Sequence, residues 1–149
     1  MALSLLDVQT SIAGGSIASV KTIYTSANAP VEVFNNMCPC MLPDPFKPVE
    51  SSVSLKQTWM GASGAGHKRT RVYNYVVLIA ESGTGRRPAE SASTLSFVLD
   101  ATDNYLCDWN ASAAIATGPV TITAAGQLTD ATGKPFVGFT VAFTVVSQY

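Results

Sequence analysis

The chain has 149 residues, with nine Lys or Arg, ten Asp or Glu, a single His and a formal net charge of −1. Charged residues make up only 13% against a usual share of about 25%, while apolar residues reach 47%. That length suits one domain, and the charge balance argues against a dedicated DNA-binding domain, because neutralising phosphates requires a cationic surface.

At the N-terminus Leu3, Leu6 and Ile12, with Leu5, Val8 and Val20 nearby, form a ragged helical stripe over residues 3–19. Gly14 and Gly15 weaken it, so a short or broken helix is expected. Residues 21–25 (KTIYT) read as a brief strand that SANAP breaks ahead of Val31, Glu32, Val33 and Phe34. Residues 37–48 carry Pro39, Pro43, Pro45 and Pro48. Proline donates nothing to a ladder, so an edge strand or an extended loop is expected.

Residues 52–60 alternate Val53, Leu55, Gln57 and Trp59 against Ser54, Lys56 and Thr58, the period of a strand. They should pair with the apolar, aromatic and β-branched run at 71–80. GASGAGHKRT between them is too long and glycine-rich for a tight turn, so the hairpin around 52–71 should protrude with a flexible tip.

ESGTGRRP breaks the run, and a helix should follow. From 88 to 109, Ala92, Leu95, Val98, Leu99, Thr102, Leu106 and Trp109 recur three or four apart, with Ser93, Ser96, Asp100, Asp103 and Asn104 on the opposite face. Pro88 suits the first turn, Glu90 lies at the positive end of the helix dipole, and Asn110 with Gly118 and Pro119 should close the element. Strands at 120–128 and 136–146 flank TDATGK, whose Gly133 supplies the positive φ of a tight hairpin. In the last strand Phe139, Val141, Phe143 and Val145 share the face that packs on the helix, leaving Gly138, Thr140, Ala142 and Thr144 as a lean second face. The expected fold is α/β in the α+β sense: one domain over 1–149, with a mostly antiparallel sheet of about five to six strands, one long amphipathic helix and a short N-terminal helix.

Chemistry is sparse. Cys38-Pro39-Cys40 lacks zinc spacing, and only Cys107 and His67 could complete a ligand set, so the pair reads as small buried hydrophobes. His67 sits in the glycine loop, away from the rigid elements that hold a general base. Asp100 and Asp103 fall on the polar helix face, where solvation alone explains them, and Asp108 adds no paired carboxylate. GASGAG and GTG lack the P-loop ending and the dinucleotide fingerprint. No catalytic residue, cofactor or metal is therefore expected. Lys68, Arg69 and Arg71 at the start of the 71–80 strand, and Arg86 and Arg87 after it, make two basic patches, suited to carboxylates of a neighbouring subunit or equally read as solvated loop charges. With Trp59 and His67 they are the candidate interface residues, and Lys68 and Arg69 at the hairpin tip are expected to dock a neighbouring component.

So few charges leave a weakly solubilised surface that burial against other copies would explain. Three cysteines leave one unpaired in any monomer, which favours a reducing cytoplasm, and MALSLLDVQTSIAGG is unlike a secretory leader. No run approaches the roughly 20 apolar residues of a membrane span.

The order of these elements, with Val20-Lys21-Thr22-Ile23-Tyr24, Cys38-Pro39-Cys40-Met41-Leu42-Pro43 and Phe136-Val137-Gly138-Phe139-Thr140-Val141, resembles the tail-terminator and tail-completion (neck) proteins of long-tailed bacteriophages. The resemblance covers nearly the whole chain as a pattern of order and spacing, with Phe136 where the family more often has Tyr. It implies a structural virion protein rather than an enzyme. This would be a homo-oligomeric ring, commonly a hexamer, that ends tail-tube polymerisation and meets the tail tube protein on one side and the head–tail connector on the other. Genomic DNA would pass through the lumen without sequence-specific binding, and no membrane is involved. The protein would be made in the host cytoplasm and reside in the virion. A head-completion or connector protein, the tail tube protein itself, and a small ligand-binding domain or enzyme are the alternatives.

Overall fold

A computed structural model describes residues 5–55, 67–81, 88–111, 114–116 and 121–148. The fold is mixed α+β, a mostly antiparallel sheet with a short N-terminal helix and one longer helix. Helix α1 spans Leu5–Ala13. It stops where Gly14 N–H bonds the carbonyl of Thr10 at 2.9 Å, so the glycine pair ends the helix rather than sitting within it. Strand β1 is Thr22–Ile23, a 3-10 turn follows at Asn35–Met37, and β2 is Cys40–Pro43. Strands β3 (Val49–Leu55) and β4 (His67–Glu81) come next, then helix α2 over Pro88–Asp108. The chain closes with β5 (Asn110–Ala111), β6 (Ala114–Ala116), β7 (Thr121–Thr129) and β8 (Pro135–Gln148).

The two long strands, β4 and β8, pair antiparallel from Lys68↔Gln148 to Glu81↔Phe136 and form the spine of the sheet. Each lends its outer edge to two shorter strands in succession. Strand β2 pairs with residues 75–78 of β4 and β3 with residues 67–73, while β7 takes residues 135–142 of β8 and β6 takes residues 145–146. Strand β1 lies parallel to β2, and β5 lies antiparallel to β6.

Alternation then fills two cores. Tyr73, Tyr75, Val77 and Ile79 of β4 share a face with Phe139, Val141, Phe143 and Val145 of β8, and there Val8 and Ile12 of α1 meet Val98 and Leu106 of α2. Phe143 stacks on Tyr73 and Tyr75 at 5.5 and 5.9 Å, with Trp109 tilted against it at 5.8 Å. The opposite face carries the second core, where Cys40 and Leu42 of β2, Val76 and Leu78 of β4 and Phe136 of β8 pack beneath Val33 and Cys38.

Several expectations need correcting. His67, Lys68 and Arg69 belong to β4, paired with Leu55, Ser54 and Val53, so they are ladder positions and not a loop tip. The proline-rich segment is loop at 38–39 and 44–48, as expected, but its strand, Cys40–Pro43, is internal and not an edge. Its residues 40–42 are proline-free and keep their donors, so β2 lies between β1 and β4. The second face of β8 is lean only from Thr140 onward, because the chain between β1 and β2 folds over its beginning. Helix α2 closes at Asp108, just ahead of Asn110 as expected, although Asn110 also opens β5; the first hairpin strand starts earlier than expected, at Val49, and residues 56–60 of the expected strand lie outside the described residues.

Candidate interaction surface

The β7–β8 turn holds the densest polar constellation. Asp130 accepts from Gly133 N–H through its carbonyl, and Gly133 has φ of +88°, the type I turn with a bulge that an Asp-x-x-Gly spacing favours. The Asp130 carboxylate, fully buried, accepts from Thr132 N–H at 2.9 Å, Lys134 N–H at 3.0 Å, the Thr132 hydroxyl, and Val33 N–H at 3.1 Å. Burial alone would push this carboxyl up; the donors aimed at it from Thr132, Val33 and Lys134 outweigh that and hold it below the ordinary value.

Lys134 completes the clasp. Its Nζ donates to the carbonyl of Val33 at 3.0 Å, pairs with Glu81 at 3.0 Å and Glu32 at 3.2 Å, and lies 4.6 Å from the centre of the Phe34 ring. Glu81 reaches it because a bulge between Leu78 and Ala80 shifts the register, which sets Glu81 opposite Phe136. The Glu81 hydrogen bond chiefly raises the Lys134 ammonium, with the Glu32 carboxylate adding to it against partial desolvation. The arrangement clamps the 31–34 segment to a hairpin about a hundred residues away in sequence.

Further along the same face lies an open groove of about 300 Å³, lined by Asp44, Lys47, Glu50, Asn74, Thr140 and Ala142 among others. Asp44 Oδ1 caps the N–H groups of Phe46 and Lys47, Asn74 Nδ2 donates to the carbonyl of Lys47 at 3.2 Å, and Lys47 pairs with Glu50. Each polar group named is thus engaged with its own chain. Beside the groove Phe46 stands 71% exposed, and Val31 and Phe34 at the clasp are 69% and 52% exposed. Leu6 on α1 and Phe97 on α2 also face outward.

Of the residues singled out from sequence, Arg71 is half-buried in mid-sheet, its Nε donating to Ser51 Oγ at 3.4 Å. His67, Lys68 and Arg69 are placed by backbone register alone, at the far end of the spine from the clasp. Trp59, Arg86 and Arg87 lie outside the described residues. Cys38 and Cys40 are buried free thiols, and the Cys40 thiol is pushed well up by its hydrogen bond with the Cys38 thiol and by burial, which keeps it protonated. Cys107 is an exposed free thiol pushed up first by desolvation and then by Asp103 and Asp108. Among the described residues no three metal-ligating side chains gather, and no helix is long and apolar enough to cross a membrane.

Sequence reasoning passed over Asp130, Lys134, Glu81 and Glu32. Only the Asp130–Gly133 spacing carried a signal, since a buried turn carboxylate is visible in sequence solely through the turn it makes. The groove residues come from separate elements and share no spacing that a linear reading detects. Comparison with protein-family models, with curated proteins and with solved structures finds no match to this chain.

Proposed function

We propose that this protein is a structural virion component that assembles with copies of itself into a ring at the head-proximal end of a phage tail, ending tube growth and joining tail to head connector. The observation that carries the reading is a surface poor in charge, at 13% of residues, from which Val31, Phe34 and Phe46 project without apolar cover. Scattered single apolar residues are ordinary on a monomer, but with so little charge to solubilise them, burial between subunits is the economical explanation. The resemblance of the element order to that of neck proteins supports the location, and a closed heterologous ring leaves no growing edge, as a terminator requires. The proteins met would be the tail tube protein and the connector, with genomic DNA passing through the lumen.

Native mass spectrometry of the purified protein should show one defined ring, six or twelve copies, and an image of the particle should place the subunit at the neck. A protein that stays monomeric at high concentration refutes the reading. The open groove supports a second one, a small ligand-binding domain, since its volume lies at the lower end of such sites. A small molecule retained through purification would favour it.

A further inference from the structure

Among the described residues four strands have a neighbour on one side only: β1 and β5, two residues each and too short to template a ladder, and the longer β3, bonded to β4, and β7, bonded to β8. Such an edge presents a row of backbone N–H and C=O groups spaced to receive another strand. Natural edges are usually blunted by lysine, by proline or by an inward-pointing charge. Strand β7, TITAAGQLT, has none of these; its register shifts between Ala125 and Leu128, which leaves Thr121 to Ala125, roughly 17 Å at about 3.3 Å per residue, as the regular stretch of the edge. Strand β3, VESSVSL, has no proline or lysine, and its single charge, Glu50, is paired with Lys47.

We infer that the β7 edge of one copy pairs with the β3 edge of the next, so that subunits join by extending one sheet from molecule to molecule. This deepens the ring reading above and rests on it. Strand direction carries it: β3, β4, β8 and β7 alternate across the sheet, each antiparallel to its neighbour. A second copy in the same orientation therefore brings β3 against β7 in the antiparallel sense, and the alternation continues unbroken. The two edges also lie on opposite borders of the sheet, so a head-to-tail joint uses each once per copy and leaves neither of them exposed. A foreign peptide on β7 would leave β3 open. Because β3 flanks the beginning of β4 while β7 flanks the part of β8 opposite the end of β4, each joint is stepped along the strands, the stagger that a closed sheet requires.

The test keeps the whole chain. In a Cys107→Ser background, Ser52→Cys on β3 and Thr123→Cys on β7 are introduced together and singly, and the assembled protein is treated with a short thiol cross-linker. A ladder of covalent multimers on a denaturing gel, from the double variant alone, is expected. Separately, Thr121→Lys with Thr123→Lys, opposite Ala142 and Thr140 in register, should convert the ring to monomers by native mass spectrometry while a cooperative melt persists. If the wild type forms a ring but the lysine variant assembles unchanged and the double cysteine variant gives no ladder, the edge joint is wrong and the ring stands. If the wild type is itself monomeric, the ring reading falls and this joint with it.

Discussion

Asp130 shows how one side chain can fix a distant segment. Asp130→Ala removes the acceptor for Val33 N–H and for the turn amides at once, and leaving such donors unpaired should lower the unfolding free energy from urea titration by on the order of 1–3 kcal/mol. Its pH dependence has a definite sign. The folded carboxyl titrates below its ordinary value of 3.8, so its contribution is fully present above that value and is lost as pH falls through the lower folded one. Thermal melts from pH 5 down to pH 2 should therefore decline less steeply for Asp130→Asn than for the wild type, although Asp130→Asn starts lower. Gly138 poses a steric problem instead. A Cβ there would run into the Val77 carbonyl across the β4–β8 ladder, so Gly138→Ala should cost about 3 kcal/mol, and a melt within 2 °C of wild type would show that the strands can part. Tyr75 is the reverse case: its hydroxyl is buried with no partner, and burial, with Tyr73 and Tyr105 nearby, pushes the phenol up. Tyr75→Phe keeps the stack on Phe143 and should be neutral or stabilising by under about 1 kcal/mol in the same melt.

At the scale of elements, α2 is an amphipathic helix whose stripe is graded. Val98, Thr102 and Leu106 are fully buried against the sheet, while Leu95 and Leu99 are only half-buried at its flank. Leu106→Ala should therefore cost about 3–5 kcal/mol by denaturant unfolding, and Leu99→Ala measurably less, because a half-buried site forfeits less transfer energy and leaves a smaller cavity. Helix α1 is short for an independent helix and depends on docking. The Tyr105 hydroxyl donates to the carbonyl of Ile12 at 2.6 Å, Trp109 Nε1 donates to Ser11 Oγ at 3.2 Å, and buried Gln9 exchanges two hydrogen bonds with Ser26. Gly15 lies where any Cβ would meet the Tyr105 ring, which ties the end of α1 to α2.

For the whole molecule, the exposed apolar side chains separate folding from assembly. Val31→Ser with Phe46→Ser removes two large apolar groups that are 69% and 71% exposed, so the melting temperature of the monomer should move little. If these side chains are covered by sister subunits, the same double variant should weaken the ring at micromolar concentration by size-exclusion chromatography. A ring of unchanged stability would assign them to open surface.

Periodicity and turn chemistry determined the α+β class, helix α2 from Pro88, the β7–β8 hairpin around Gly133, and the inward face of Phe139, Val141, Phe143 and Val145. Each rests on neighbours in sequence: a stripe, a proline or a glycine whose effect is local. The second core, the internal place of β2, the location of His67, Lys68 and Arg69 within a ladder, and the Asp130–Val33 clasp were decided by tertiary structure. In each of these the stabilising partner lies far away along the chain, and local composition does not encode which distant segment will supply the missing hydrogen bond or cover the exposed apolar face.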